Sequence, residues 1–263
     1  MKHGFLNPTE YKRHSKLQYD FAHSMLKSTG INETDKILDI GCGDGKITAD
    51  IARMVPCGRV IGIDISSQMI HYAIREHTPT TSDNLDFMVM DAETNVFRSQ
   101  FNMVVSFCCL HWVKNQLSAL KGIKAALVEN GCAVLLVPLR HEELYTAIES
   151  VIESEKWRHY FTGYNNPHVF FTKEKYSALL DQAGLAPSLL EEKTMSYSFR
   201  TQVEMEMFLK AWLPHIRQIP LSQQDYFMRG IGNKFLSIIP ASSAAITMPL
   251  RMLNVQAYCH ALS

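Results

Sequence analysis

The stretch Lys36-Ile37-Leu38-Asp39-Ile40-Gly41-Cys42-Gly43-Asp44-Gly45-Lys46-Ile47-Thr48 constrains this chain more than any other. Ile37, Leu38 and Ile40 make the apolar run of a strand buried on both faces, a property of parallel strands flanked by helices. Three glycines at alternate positions turn the chain tightly, and Ile47, Ile51 and Val55 follow at helical spacing. Glycine serves where the backbone takes positive φ or approaches a ligand closely. Strand, glycine turn and helix together announce a nucleotide-type βαβ site. The spacing narrows the ligand. A dinucleotide fingerprint wants G-x-G-x-x-G, but the third glycine comes one residue early, at Gly45. Asp39 and Asp44 lie where a pyrophosphate would be repelled. These acids suit a cationic ligand without phosphates; a glycine turn with no ligand is the bland alternative.

The ends of later strands carry matching side chains. Val60-Ile61-Gly62-Ile63-Asp64 is a second apolar strand closed by a carboxylate, and an acid there can accept both hydroxyls of a ribose. No arginine follows directly, which argues against a 2′-phosphate. Asp64 can instead cap the helix bearing Met69, Ile70, Ala73 and Ile74, although Ser66 can do so equally well. A third strand, Leu85 to Met90, ends in Asp91-Ala92. A carboxylate there can accept an adenine amino group while the residue 92 backbone meets the ring; Asp91 as a plain turn residue is the alternative. S-adenosylmethionine, with its sulfonium, ammonium, ribose and adenine, fits this series. The candidate cofactor contacts are Asp39, Gly41, Cys42, Gly43, Gly45, Asp64, Ile65, Met69, Asp91, Ala92 and Phe107.

Phe101 to Val113 holds a fourth strand and the turn after it. Ligands in open α/β sheets bind beyond the carboxyl ends of strands, so His111 and Trp112 are well placed. Leu117, Leu120, Ile123 and Leu127 predict a helix ending at Asn130-Gly131, followed by a fifth strand from Cys132 to Leu139. Arg140, at its end, is a countercharge for an acid or a surface residue. Ahead of the core, Asn7-Pro8-Thr9-Glu10 is a helix start, with Leu17, Phe21 and Met25 on one face and a stop at Gly30. Residues 1–30 are expected to form a lid helix over the cofactor or to pack at the sheet edge. Residues 141–171 carry one amphipathic helix (Leu144, Ile148, Ile152) and an aromatic-rich loop from Trp157 to Phe171. This insertion after the fifth strand reads as a cap over the pocket, with surface packing as the alternative. A helix over 173–183 between Thr172 and Gly184, a strand over 187–199, and helices from Thr201 through Trp212 and from Ser222 follow. Leu253, Val255, Ala257, Cys259 and Ala261 alternate with polar residues, the clearest antiparallel signal. The expected fold class is α/β: a Rossmann-like, mostly parallel seven-stranded sheet with an antiparallel strand near one edge and a helical cap, in a single domain over 1–263.

The composition removes several classes of function. With 46% hydrophobic and 20% charged residues the chain can bury a full core, and Lys plus Arg equals Asp plus Glu at 26 each. No whole-chain field attracts nucleic acid or an anionic membrane. Nucleic-acid methylation also calls for a D/N-P-P-Y motif after the fourth strand, where this chain reads Cys108-Cys109-Leu110-His111; Pro56-Cys57 lies before the second strand, the wrong place for a cytosine-directed cysteine. The six cysteines show no C-x-x-C spacing and read as reduced, and the start of the chain lacks the apolar stretch of a signal peptide, so a cytoplasmic location is expected. No run reaches the length of a membrane span. Metal is not expected: the histidines show no H-x-x-x-H and no carboxylate cluster at ligand spacing.

ILDIGCGDG, GIDIS, MDAE and the HWV segment resemble the class I S-adenosylmethionine-dependent methyltransferases over about 36–140. EYKRHSKLQ (10–18), SFCCLHWVKNQ (106–116) and SEKWRHYF (154–161) are similar, more narrowly, to juvenile hormone acid methyltransferases, which O-methylate carboxylic acids. Trans-aconitate and malonyl-carrier-protein methyltransferases share the core. The last third, 186–263, matches only loosely, so the identity of the acid does not follow. The resemblance implies that Gln18 and Trp112 hold the substrate carboxylate, and with His111 they are the candidate catalytic residues. A carboxylate, with a pKa of about 4, is ionised at neutral pH and needs no general base. Methyl transfer to it then rests on alignment and on exclusion of water. His111 can be a base for a phenol or alcohol, a donor to a carboxylate, or a structural residue. The implied partner is a small-molecule acceptor, a carboxylic acid above all. A phenol or hydroxyl, a carrier-bound acid, a protein acceptor and a non-catalytic cofactor-binding module stand as alternatives.

Overall fold

A computed structural model describes residues 16–78, 83–240 and 245–259, with residues 16–18 described by backbone alone. The helix start at Asn7-Pro8 and the strand residue Ala261 lie outside the described residues. Seven strands form one sheet in the order β3-β2-β1-β4-β5-β7-β6. They are β1 (Lys36–Ile40), β2 (Arg59–Asp64), β3 (Leu85–Val89), β4 (Phe101–Phe107), β5 (Leu127–Pro138), β6 (Ala186–Phe199) and β7 (Ile246–Tyr258). β1 pairs in parallel with β2 (Ile37↔Val60) and with β4 (Ile37↔Met103). It is therefore central, and Ile37, Leu38, Asp39 and Ile40 are all buried, as a strand enclosed on both faces requires. The order reverses between β1 and β4, the switch point beyond which α/β sheets bind ligands. β7 runs antiparallel to β5 from Cys132↔Tyr258 to Pro138↔Met252. Leu253, Val255 and Ala257 are fully buried, as the alternation predicts. Asn254 is buried too, because β7 sits inside the sheet, and its Nδ2 donates to Glu191 Oε1 at 3.1 Å.

Helices α1 (Lys16–Lys27), α2 (Lys46–Met54), α3 (Ser67–His77), α4 (Gln116–Ala126), α5 (Glu142–Ile152), α6 (Lys173–Ala183), α7 (Gln202–Lys210) and α8 (Gln224–Ile238) complete the fold. Caps place several of them as the sequence predicts: Ser66 accepts from Met69 N, Thr172 from Lys175 N and Thr201 from Glu204 N, while Gly184 ends α6 at φ 74°. One boundary differs. The helix expected to reach Asn130-Gly131 stops at Ala126, and Leu127 opens β5 opposite Phe101. Cys132 then pairs with Met103, so residues 128–131 bulge out, with Asn130 at φ 59°. Asn130 N donates to Cys259 O and Cys259 N to Gly131 O, both at 3.0 Å, which anchors the bulge. Leu127 fits a helical face and a strand start alike; pairing decides between them.

The chain divides into two compact units, Met1–Pro138 with His168–Lys193 and Met252–Ser263, and Leu139–Pro167 with Thr194–Arg251. In the first, α1 buries Phe21, Ala22, Met25 and Leu26, each worth about 1.5–3 kcal/mol for the larger side chains. Asp50 of α2 receives Tyr19 Oη at 2.6 Å and His23 Nε2 at 3.0 Å, and the Lys46 ammonium lies 3.7 Å above the Tyr19 ring. In the second, α5 packs along α8. Trp157, expected in a pocket cap, meets Phe227 edge-on at 5.2 Å, and Phe161 stacks on the same ring at 5.7 Å. Arg140 pairs with Glu142 and Glu149 at 3.0 and 2.7 Å and lies over the Tyr145 ring. These contacts are the surface role that the sequence left open for it. Phe170 and Phe171, from the same aromatic run, belong to the first unit.

Candidate functional site

The turn after β1 has Gly41, Gly43 and Gly45 at φ 77°, 54° and 78°, all left-handed and strained for any other residue. Packing adds a second reason at two of them. A Cβ at Gly41 would overlap the Cys109 side chain, and one at Gly45 would come within 2.7 Å of Ala73 and the Phe87 ring. The glycines thus let the protein close on itself as much as they admit a ligand. The turn is also no phosphate cradle, which needs outward N–H groups. Gly41 N and Cys42 N donate to Ile63 O at 2.7 and 3.0 Å, and Gly43 N to Asp64 Oδ2 at 3.1 Å. Gly45 N donates to Cys42 O at 3.0 Å and Lys46 N to Asp44 Oδ1 at 3.2 Å. These donors are used internally, in line with the exclusion of a pyrophosphate drawn from the sequence.

Two carboxylates stand at the ends of adjacent central strands. Asp64 accepts Gly43 N on one oxygen and Ser66 N, at 2.8 Å, on the other. Each oxygen has capacity left for a further donor. Ser66 caps α3 by itself, so Asp64 is not needed as the cap. Burial raises the Asp64 pKa against those two bonds. Asp39 is fully enclosed and accepts Thr48 Oγ1 at 2.7 Å. Burial, outweighing the Thr48 bond and reinforced by the nearby Asp64, lifts its pKa to about 7. Neither acid has an ion-pair partner among the described residues. Such a pair favours a bound cation, and a pair of hydroxyls can occupy the open acceptor capacity of Asp64. This set of acceptors fits S-adenosylmethionine. Asp91 caps the short turn Ala92–Thr94 by accepting Glu93 N at 2.9 Å. Of the other expected cofactor contacts, Ile65 presents an exposed apolar side chain next to Asp64 in the chain, whereas Met69, Ala92, Phe107 and Cys42 are buried.

Beyond β4 the chain turns through Cys108, left-handed at φ 54°, into a short 3-10 turn, Leu110–Trp112. His111 is buried, with Nδ1 unpartnered among the described residues. Burial lowers its pKa to about 3, so the ring is neutral at physiological pH. A general base works best with a pKa near the operating pH, and this ring is far from it. Trp112 is half-buried. Two residues complete the cluster: His168, which sequence reasoning missed, meets Trp112 edge-on at 4.1 Å and His111 at 4.9 Å, and Phe170, one of the aromatics of the expected cap, stacks on His111 at 6.3 Å. Val169 N donates to His111 O at 2.8 Å. The only signal for His168 in the sequence is membership of the aromatic-rich loop. Gln18 lies on α1, where its backbone alone is described.

Comparison with known proteins agrees with this geometry. The family model for a methyltransferase domain matches residues 31–184. A protein of Invertebrate iridescent virus 6 named as a methyltransferase is 28% identical over 244 residues, 93% of this chain and 90% of its own length. The juvenile hormone acid O-methyltransferase of Drosophila melanogaster is 27% identical over 205 residues, covering 74% of this chain and 68% of that one. A solved structure from Bacillus halodurans C-125, also named as a methyltransferase, superposes with a TM-score of 0.66 at 12% identity, over 92% of this chain and all of that one. The chain belongs to the methyltransferase domain family: it is a class I methyltransferase enzyme. S-adenosylmethionine is its cofactor.

Proposed function

We propose that this protein transfers the methyl group of S-adenosylmethionine to the carboxylate of a small apolar acid. When bound, the cofactor supplies an electrophilic methyl on a sulfonium. Asp64 would accept the ribose hydroxyls, Asp91 the adenine amino group, and Ile65 would cover the adenine face, while Asp39 offers negative charge to the cationic end. The observation that carries the acceptor class is the state of His111. The His111 imidazole, beside Trp112 in the same turn, is neutral and a poor base, so an acceptor that is already ionised suits the turn better than a phenol or alcohol. Trp112 Nε1–H and the Gln18 amide are neutral donors, able to orient an anion without solvating it strongly. Alignment at about 3 Å and exclusion of water then supply the rate. The name of the Drosophila relative, an acid methyltransferase, supports the same class. A cytoplasmic location fits the free thiols of all six cysteines.

The test is to incubate the protein with S-adenosylmethionine and a panel of aliphatic acids, aromatic acids and phenols, following S-adenosylhomocysteine and the methylated product. Methyl esters of apolar acids are expected. Methyl ethers from phenols in their place, or cofactor binding without any turnover, would overturn the proposal.

A further inference from the structure

The cluster beyond β4 contains a group that the carboxylate reading does not use. His168 is nine-tenths buried and lies with its ring edge-on to the Trp112 indole, centroids 4.1 Å apart at 82°. It also touches His111, 4.9 Å away, and Phe170, 5.8 Å away. The next residue, Val169, donates its N–H to His111 O at 2.8 Å. The segment 168–170 is thus joined by its backbone to the short turn that presents Trp112, and by a side-chain ring to the indole itself. Trp112, by contrast, is half-exposed and stands on a turn of three residues following a left-handed non-glycine residue. A turn that short has little rigidity of its own. Edge-to-face ring pairs have a preferred geometry, so His168 can select one orientation among those open to a half-buried indole.

We propose that His168 is a positioning residue for methyl transfer: it fixes the Trp112 indole so that Nε1–H faces the acceptor. This rests on the reading of Trp112 as an acceptor-orienting donor. His168 acts through Trp112, not on the substrate. Loss of one ring pair corresponds to about a three- to tenfold effect, and it should fall on acceptor turnover and leave cofactor affinity alone. His168→Phe keeps the edge-on ring and should retain most of the activity that His168→Ala loses.

Two measurements on the full chain test the proposal. In the first, the protein is labelled with 5-fluorotryptophan, and the Trp112 resonance is identified by its absence in Trp112→Phe. His168→Ala is expected to shift and broaden that resonance and leave those of Trp157 and Trp212 in place, with His168→Phe restoring it. In the second, kcat/KM for the best acceptor of the panel is measured for His168→Ala, Trp112→Ala and the double variant, alongside calorimetric affinity for the cofactor. The three- to tenfold penalty of His168→Ala should vanish once Trp112 is gone. An unmoved Trp112 resonance, a penalty equally large without Trp112, or a matching loss of cofactor affinity overturns the proposal. A panel in which no acid is methylated defeats the carboxylate reading instead, and the fluorine spectrum still decides whether His168 positions the indole.

Discussion

Asp39 titrates where it can report on the cofactor site. Its carboxyl is buried, and burial together with Asp64 holds its pKa at about 7 despite the Thr48 bond. In the free protein it passes from about one-tenth ionised at pH 6 to about nine-tenths at pH 8. A cationic ligand beside it stabilises the anion, so S-adenosylmethionine should bind more tightly as pH rises through 7. If the bound state keeps Asp39 ionised across the range, the dissociation constant falls about tenfold between pH 6 and 8. Asp39→Asn removes the titration and leaves the Thr48 hydroxyl a partner, and its binding curve should be flatter by that factor. Stability in the absence of ligand runs the other way. A carboxyl whose folded pKa lies above its ordinary 3.8 contributes fully below that value, and the contribution is lost as pH rises through about 7. The stability of Asp39→Asn relative to wild type should therefore improve from pH 5 to pH 8. Calorimetric titration at pH 6, 7 and 8, with melts at the same pH, measures both. An identical pH slope in the two proteins refutes the placing of Asp39 beside the cofactor's charge.

Asp64→Ala should weaken S-adenosylmethionine by about 1.5–3 kcal/mol for each charge-assisted bond lost; an unchanged affinity in a folded variant would remove the ribose assignment. Gly41→Ala should lower stability by about 3 kcal/mol or more, since left-handed strain is joined by overlap with Cys109. Gly30→Ala, equally left-handed at φ 64° but with nothing within 4 Å, should lose only about 1 kcal/mol in denaturant titration. Asp50→Ala removes the acceptor shared by Tyr19, His23 and Arg53. It should destabilise by about 1–2 kcal/mol, allowing for partial exposure. The hydrogen bond to Asp50 is the main reason the Tyr19 pKa stands at about 12, so absorbance titration should find it nearer its ordinary 10 in that variant.

The parts of the fold that were legible are those in which one physical signal points one way. The run 37–40 had to be a parallel central strand, and Leu253, Val255 and Ala257 an antiparallel one, because periodicity and burial agree at both. The segment 127–131 is ambiguous in sequence because a leucine followed by Asn-Gly fits a helix end and a strand bulge equally; only pairing with Phe101 and Met103 separates them. Asp39 was legible as an acid of the glycine turn and Asp64 as a carboxylate closing a strand, but the engagement of the glycine-turn N–H groups by Ile63, Asp64 and Cys42 is a matter of backbone direction that composition does not encode. Arg140 looked available because its partners Glu142 and Glu149 lie on a helix whose register is set by packing. His168 stayed hidden for a related reason: its partner Trp112 is remote in sequence, and nothing local distinguishes it from its aromatic neighbours.

A pH–rate profile separates methyl transfer to an acceptor that needs no base from transfer that does need one. Product formation at saturating cofactor and acid is followed from pH 5.5 to 8.5 for wild type and for His111→Gln. Because burial holds His111 neutral, with its pKa near 3, kcat should stay level through the ordinary histidine range, and His111→Gln should act mildly. Trp112→Phe, which loses one positioned donor, should lower kcat about tenfold to a hundredfold at every pH. A kcat that climbs through pH 6.5 in wild type and collapses in His111→Gln, with Trp112→Phe intact, would mean that His111 acts as a base and that the acceptor is not a carboxylate.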